Sequence, residues 1–236
     1  MSRTSQINPP EFEDVFRRII AQGYHEILYL AFSSGLSGTY HSSTVAAQNI
    51  MKENPNVRIL PVDTLAAALG EGLIVDKAVE VRDQGKTIDE VAQWVEENKL
   101  KTAHWFTVDD LNFLKRGGRI SASAAWFGTA LKIKPVLHVD NNGKLIPMEK
   151  KIGRKKSLAR IAEIVRETAV DIQDQTIYIA HGDCLDDVEE IKAMITAETG
   201  ADKFFVNDLG PVIGSHSGPG KPGRSEERRV GKECRS

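Results

Sequence analysis

Two short, nearly unbroken apolar runs constrain this chain more than any other feature: EILYLAF at residues 26–32 and VRILPVD at residues 57–63. A strand wetted on one face alternates apolar and polar side chains. A run that is apolar throughout needs cover on both faces, as strands of a parallel sheet have. Parallel neighbours also need a crossover, and residues 40–54 read as the helix that supplies it. Upstream, PPEFEDVFRRIIAQG is a helix opened by prolines and ended by Gly23, with Phe12, Val15, Phe16, Ile19 and Ile20 on one stripe. Downstream, Thr64 is expected to cap a helix running to about Gly85. Thr87 and Glu90 form a capping box before the next helix. Strand and helix alternate throughout, so this half is predicted to be an α/β layer with a mostly parallel sheet.

The pattern changes near residues 101–104. HWFTV is strand-like, DDLNFLKRGGRI a short helix broken by two glycines, and SASAAWFGTALK a small-residue helix. KPVLHVDNNGKLIPMEKK reads as a hairpin turning at Asn142-Gly143. Helix (residues 155–170), strand (TIYIAHG) and helix (LDDVEEIKAMITAETG) follow, then KFFVNDLG and PVIGSHSGPG. A hairpin followed by this alternation points to a second, α+β domain. Two domains are expected, residues 1–103 and 104–223. The closing RSEERRVGKECRS, residues 224–236, reads as translated sequencing-adapter DNA and is expected to stand outside the fold.

With 236 residues, 41% of them hydrophobic and 27% charged, the chain has enough apolar side chains for real cores. No window approaches the roughly 18 apolar residues of a membrane span. MSRTSQINPP lacks the apolar core of a secretory signal, which makes the cytoplasm the expected location. A formal charge of −2 gives no electrostatic case for nucleic acid. Without residues 224–236, one cysteine remains, Cys184, which permits neither a disulfide nor a cysteine metal site. His25, His41, His104, His138 and His181 have no ligand spacing with acidic residues, so no metal is assigned.

Three stretches carry chemistry. SSGLSGTY, from Ser33, sets hydroxyls and two glycines between a buried strand and a helix, where unpaired backbone N–H groups favour an anion such as phosphate or carboxylate. The same hydroxyls could equally cap the helix, through Ser37 or Thr39, and fill the turn. The stretch is not a P-loop, because no Gly-Lys-Ser/Thr follows. It is not a nucleophile elbow either, because Thr39 stands where that motif needs glycine. LKRGGRIS places Arg116 and Arg119 around two glycines, either as a fork for an anion or as a solvated basic loop. GSHSGPG offers His216, read as a loop histidine able to donate a hydrogen bond or exchange a proton.

Taken together, TSQ at Thr4, SSGLSGTY, FTVDDLNFLKRGGRIS at Phe106, KPVLHVDNNGKL at Lys134 and PVIGSHSGPG at Pro211 resemble the DegV family of bacterial fatty-acid-binding proteins. The resemblance runs from about Thr4 to Gly220, with the motifs in order. It implies a two-domain DegV-like fold: a Rossmann-like N-terminal domain, a second α/β domain, and a long-chain fatty acid buried between and within them. The family's pattern has a strand and turn before TSQ and an apolar strand after GPG, so both domains are expected to lack a terminal element. Family members of the fatty acid kinase type present the acyl carboxylate to a separate dihydroxyacetone-kinase-like enzyme, which makes the acyl phosphate. A transient membrane surface is a further partner in this expectation, and no cofactor is expected beyond the bound fatty acid.

By resemblance, Thr4 and Ser34, with Ser33 as the neighbouring choice, hold the carboxylate. Gly35 allows close backbone approach, His216 completes the site, and Arg116 and Arg119 face the kinase or phosphate. Two competing readings remain: a hydrolase or phosphotransfer enzyme using Ser34 or Ser37 with His216, and a nucleic-acid module using LKRGGR.

Overall fold

The computed structural model describes residues 4–121 and 132–217, together with the backbone of residues 225–231. The expected small-residue helix SASAAWFGTALK falls almost wholly on residues 122–131, outside the described residues.

The first unit is a parallel pair, β1 (Glu26–Ala31) and β2 (Arg58–Asp63), aligned from Glu26 opposite Arg58 to Ala31 opposite Asp63. Helices cover both faces, as the unbroken apolar runs require. α1 (Pro9–Ala21) and α2 (Thr39–Glu53) bury Phe12, Phe16, Ala46, Ala47 and Ile50 against Ile27 and Ile59. On the opposite face, α3 (Ala68–Asp83) and α4 (Ile88–Asn98) bury Ile74, Ala78, Val91 and Val95 with Val62, against Leu28 and Leu30. The predicted caps form at α4, where Thr87 and Glu90 bond reciprocally, and at α1 the same box is built by Asn8 and Glu11.

Thr64 does not cap α3. Its hydroxyl donates to the Ala31 carbonyl at 2.7 Å and accepts from the Ala66 N–H at 3.2 Å, which ties the two strand exits together. A threonine side chain that bonds its own local backbone competes with helix formation. The helix begins four positions later, at Ala68, after Leu65 and Ala68 both take left-handed backbone (φ 53 and 48). For non-glycine residues that conformation costs about 1–3 kcal/mol each.

The second unit is a mixed sheet ordered β5-β4-β3-β8-β6-β7. β3 (Thr102–Val108), β4 (Ile133–Val139) and β5 (Leu145–Ile152) pair antiparallel; β6 (Ile177–His181) and β7 (Phe204–Asp208) pair parallel. α6 (Arg154–Thr168) and α7 (Leu185–Thr199) pack Leu158, Ile161, Ile164, Val188, Ile191 and Ile195 onto Ile177 and Ile179. α5 (Leu111–Arg116) follows β3, and α8 (Pro211–Ser217) follows β7. His216 therefore stands on a helix rather than in the loop expected from its glycine-rich surroundings.

Residues 224–236 were expected outside the fold, yet the backbone of β8 (Ser225–Gly231) lies between β3 and β6, antiparallel to both. Those two strands would otherwise present open rows of N–H and C=O groups, which an extended segment satisfies. SEERRVG is not the apolar run that a strand between two neighbours selects. Backbone ladder demand, rather than side-chain character, accounts for its position.

Candidate functional site

A cavity of about 510 Å3 lies where the two units meet, within the ~300–1,000 Å3 range of small-molecule sites. The first unit lines it with Ile7, Tyr29, Phe32, Leu36 and Ala67. The second adds Phe106, Val108, Leu114, Leu145, Leu209, Val212 and Ile213. The exits of β1 and β2 border it, the position where open α/β sheets bind ligands.

Its polar groups gather around His216. Thr4 Oγ1 and His216 Nε2 share a hydrogen bond of 2.7 Å. On the other side of the ring, Nδ1 abuts the backbone of Gly117. A Cβ there would fall on Nδ1 and stand 3.1 and 3.2 Å from ring atoms Cε1 and Cγ. The paired glycines of LKRGGR thus have separate uses: Gly117 makes room for the imidazole, while Gly118 takes the left-handed turn (φ +71). Arg119 lines the cavity, where its Nε donates to the Leu36 carbonyl at 3.1 Å and its Nη1 donates to the Gly117 carbonyl. Burial, and then the Arg119 charge, hold the His216 pKa below its ordinary value, which favours the neutral ring.

Arg116 does not join this group: it is exposed, with its guanidinium stacked 4.3 Å over the Phe113 ring. The expected basic pair is thus split between cavity and surface.

SSGLSGT also divides. Ser33 is fully buried; its hydroxyl donates to the Gly143 carbonyl at 2.8 Å and accepts from the Gly35 N–H at 3.1 Å. Gly35 meets the hairpin turn so closely that a Cβ would stand 2.8 Å from the Gly143 carbonyl carbon and oxygen. Ser33 and Gly35 therefore lock the first unit onto the β4–β5 hairpin. Ser34 is exposed, its N–H given to Asp63 Oδ1 at 3.1 Å, and it does not line the cavity. The structure thus places both expected carboxylate serines away from Thr4 and His216.

Ser37 and Thr39 line the cavity in their place. Their hydroxyls bond to each other at 2.8 Å, and Ser37 Oγ also accepts from the Thr39 N–H at 3.2 Å, so Ser37 caps the first N–H of α2 where Gly38 offers no side chain. The start of α2 therefore borders the cavity through these two hydroxyls. The sequence pointed to this helix start, but not to which of its hydroxyls face inward, because that depends on where the chain crosses the hairpin. Tyr29 and Glu71 also line the cavity; neither stands in any motif, since β1 and α3 meet only in the fold.

Among the described residues no group of three or more His, Cys, Asp or Glu side chains could hold a metal, and no helix is long and apolar enough to cross a membrane.

The family model described as "Uncharacterised protein, DegV family" matches residues 1–225. A DegV domain-containing protein of Clostridium perfringens is 47% identical over 220 residues, covering 93% of this chain and 75% of that protein. Among solved structures, a fatty acid binding DegV family protein from Streptococcus agalactiae superposes with a TM-score of 0.83 at 30% identity, covering 98% of this chain and 79% of its own. A DegV lipid binding protein from Thermotoga maritima gives 0.84 at 28% identity, covering 98% and 78%. At 20% identity, the fatty acid kinase B3 protein of Streptococcus pneumoniae, solved with linoleic acid, shares the fold with a TM-score of 0.83, over 96% and 77%. With the two-unit α/β architecture and the motifs in order, these matches make the chain a member of the DegV family.

Proposed function

We propose that this protein is a fatty-acid carrier rather than an enzyme. A long-chain fatty acid would lie in the cavity, with its carboxylate at Thr4 and His216, beside Arg119 and the Ser37 and Thr39 hydroxyls. It would then be presented to a separate kinase of the dihydroxyacetone-kinase type for acyl phosphate formation. The observation that carries the reading is a largely apolar cavity in which Thr4 bonds His216 at 2.7 Å with Arg119 also on the lining. Each buried methylene contributes about 0.8 kcal/mol, so the tail alone could drive tight binding. The hydroxyls and His216 chiefly spare the carboxylate from burial without partners. The relatives from Thermotoga maritima and Streptococcus agalactiae, a lipid binding and a fatty acid binding protein, support the ligand class. Arg116, exposed on α5, is the natural candidate for contact with the kinase.

The Thr4–His216 contact would also suit an activated nucleophile, but burial, and then the Arg119 charge, make His216 a weaker base. Native mass spectrometry of protein purified from a bacterial host tests the carrier reading. One fatty acid per chain is expected, at lower occupancy in Thr4→Ala and His216→Ala and at unchanged occupancy in Ser34→Ala. A folded sample without lipid, or turnover of acyl esters without a partner, would sink it. The kinase step is tested by adding a bacterial fatty acid kinase and ATP: acyl phosphate should form only with this chain present. Arg116→Ala should lower that rate without changing lipid content.

A further inference from the structure

Thr4, which meets His216 at 2.7 Å, stands in a stretch with little to hold it. Residues 4–7 belong to no helix or strand, and Thr4, Ser5, Gln6 and Ile7 run in succession along the cavity. Among the described residues, no backbone group of this stretch bonds to another backbone group. One end is fixed at Asn8, four residues from Thr4, where the chain caps α1. Four residues can span up to about 14 Å, so that anchor alone leaves the Thr4 hydroxyl a wide choice of positions.

Gln6 supplies a second anchor. Its amide lies against Gly38, where a Cβ would fall on Gln6 Oε1 and stand 2.9 Å from Cδ. Its Nε2 donates to the hydroxyl of Ser42 at 3.3 Å, and Ser42 is buried in the first turn of α2. Gly38 has ordinary negative-φ backbone (φ −77, ψ 3), so its conformation does not demand glycine. What the position requires is room for the Gln6 amide. Gly117 stands in the same relation to the His216 ring. Each side of the Thr4–His216 contact is thus seated against a glycine, His216 directly and Thr4 through Gln6.

We infer that Gln6 is the positioning residue of the carboxylate site, pinning residues 4–7 to α2 so that the Thr4 hydroxyl waits where the carboxylate arrives. This rests on the carrier reading above. A hydroxyl already in place gives up little freedom when the ligand binds, which is how preorganisation raises affinity.

The test is competitive displacement of a fluorescent fatty acid from delipidated protein by hexadecanoic acid, with a thermal melt of each variant. Gln6→Ala should bind about tenfold more weakly. Its melting temperature should not change, because the residue is exposed. The loss should require the Thr4 hydroxyl: Thr4→Val and Gln6→Ala/Thr4→Val should bind equally, a coupling that a general structural role would not produce. Gly38→Ala, whose methyl displaces the Gln6 amide, should weaken binding in the unaltered background and not in Gln6→Ala. The inference is overturned if Gln6→Ala binds like the unaltered protein, or if affinity and melting temperature fall together. It is also overturned if Gln6→Ala costs the same factor with and without the Thr4 hydroxyl, which would make Gln6 a direct ligand contact. Failure of hexadecanoic acid to bind the unaltered protein refutes the carrier reading, and this inference with it.

Discussion

Gly117→Ala should separate binding from stability. Gly117 has ordinary right-handed backbone (φ −70, ψ −11), so alanine fits its conformation. Such a change removes freedom from the unfolded chain and typically stabilises by about 0.4–1 kcal/mol. The new methyl, however, would fall on His216 Nδ1 and stand 3.1 Å from Cε1. Carbon contacts are optimal near ~3.5–4.0 Å, so the ring must retreat by roughly 1 Å. It cannot retreat straight back, because Thr4 holds Nε2 at 2.7 Å on the far side. The ring must turn away, and the carboxylate then loses a hydrogen bond of the charged kind, about 1.5–3 kcal/mol. Affinity for hexadecanoic acid should fall roughly ten- to a hundred-fold, while the melting temperature holds or rises.

Fluorescent displacement and thermal melting on the same samples read both quantities. The double variant Gly117→Ala/His216→Ala should bind no worse than His216→Ala alone, since both remove one contact. Gly118→Ala is the contrasting control: nothing lies within 4 Å, but its φ of +71 opposes a side chain. It should lower the melting temperature and spare the affinity of the folded protein. Wild-type affinity in Gly117→Ala, or affinity and stability lost together, would refute the reasoning.

The two adjacent serines should behave oppositely in a melt. Ser33→Ala strands the Gly35 N–H and Gly143 carbonyl and should cost about 1–3 kcal/mol, whereas exposed Ser34→Ala should stay within about 0.5 kcal/mol. Asp109 takes Lys134 at 2.8 Å and Arg154 at 3.0 Å on one oxygen, and Arg154 reaches on to Asp187 at 3.4 Å. Asp109→Asn should destabilise by about 2 kcal/mol in a denaturant titration, less than a fully buried pair because these groups retain some solvent; no change would mean that the network is solvated. His216 and His138 are both held below the ordinary value of 6.5, chiefly by burial. The unfolded chain then takes up protons first, so stability should be flat above that value and fall as pH drops through it toward the folded values. A bound carboxylate raises the His216 pKa, so affinity should rise over the same window with proton uptake, measurable by calorimetry in buffers of different ionisation heat and absent in His216→Gln.

The sequence by itself determined the layers. EILYLAF and VRILPVD, apolar throughout, could be satisfied only by helices on both faces, and α1, α2, α3 and α4 are there. Capping chemistry is local, so Thr87 with Glu90 was legible without a fold. Thr64 was not: its hydroxyl had a choice between a helix start and the Ala31 carbonyl, and only the pairing of β1 with β2 brings that carbonyl within reach.

The site divides in the same way. The family resemblance named Thr4, motif chemistry named Arg119 and His216, and the fold unites them in one cavity. Which serines of SSGLSGT face that cavity was decided by tertiary structure. The loop turns Ser33 into the hairpin, Ser34 to solvent and Ser37 inward, and that sorting depends on Gly35 meeting Gly143, residues brought together only when the two units close. Tyr29 and Glu71 carry no mark in the chain at all. A strand residue and a helix residue come to line one cavity only through packing, and packing is not written in local sequence.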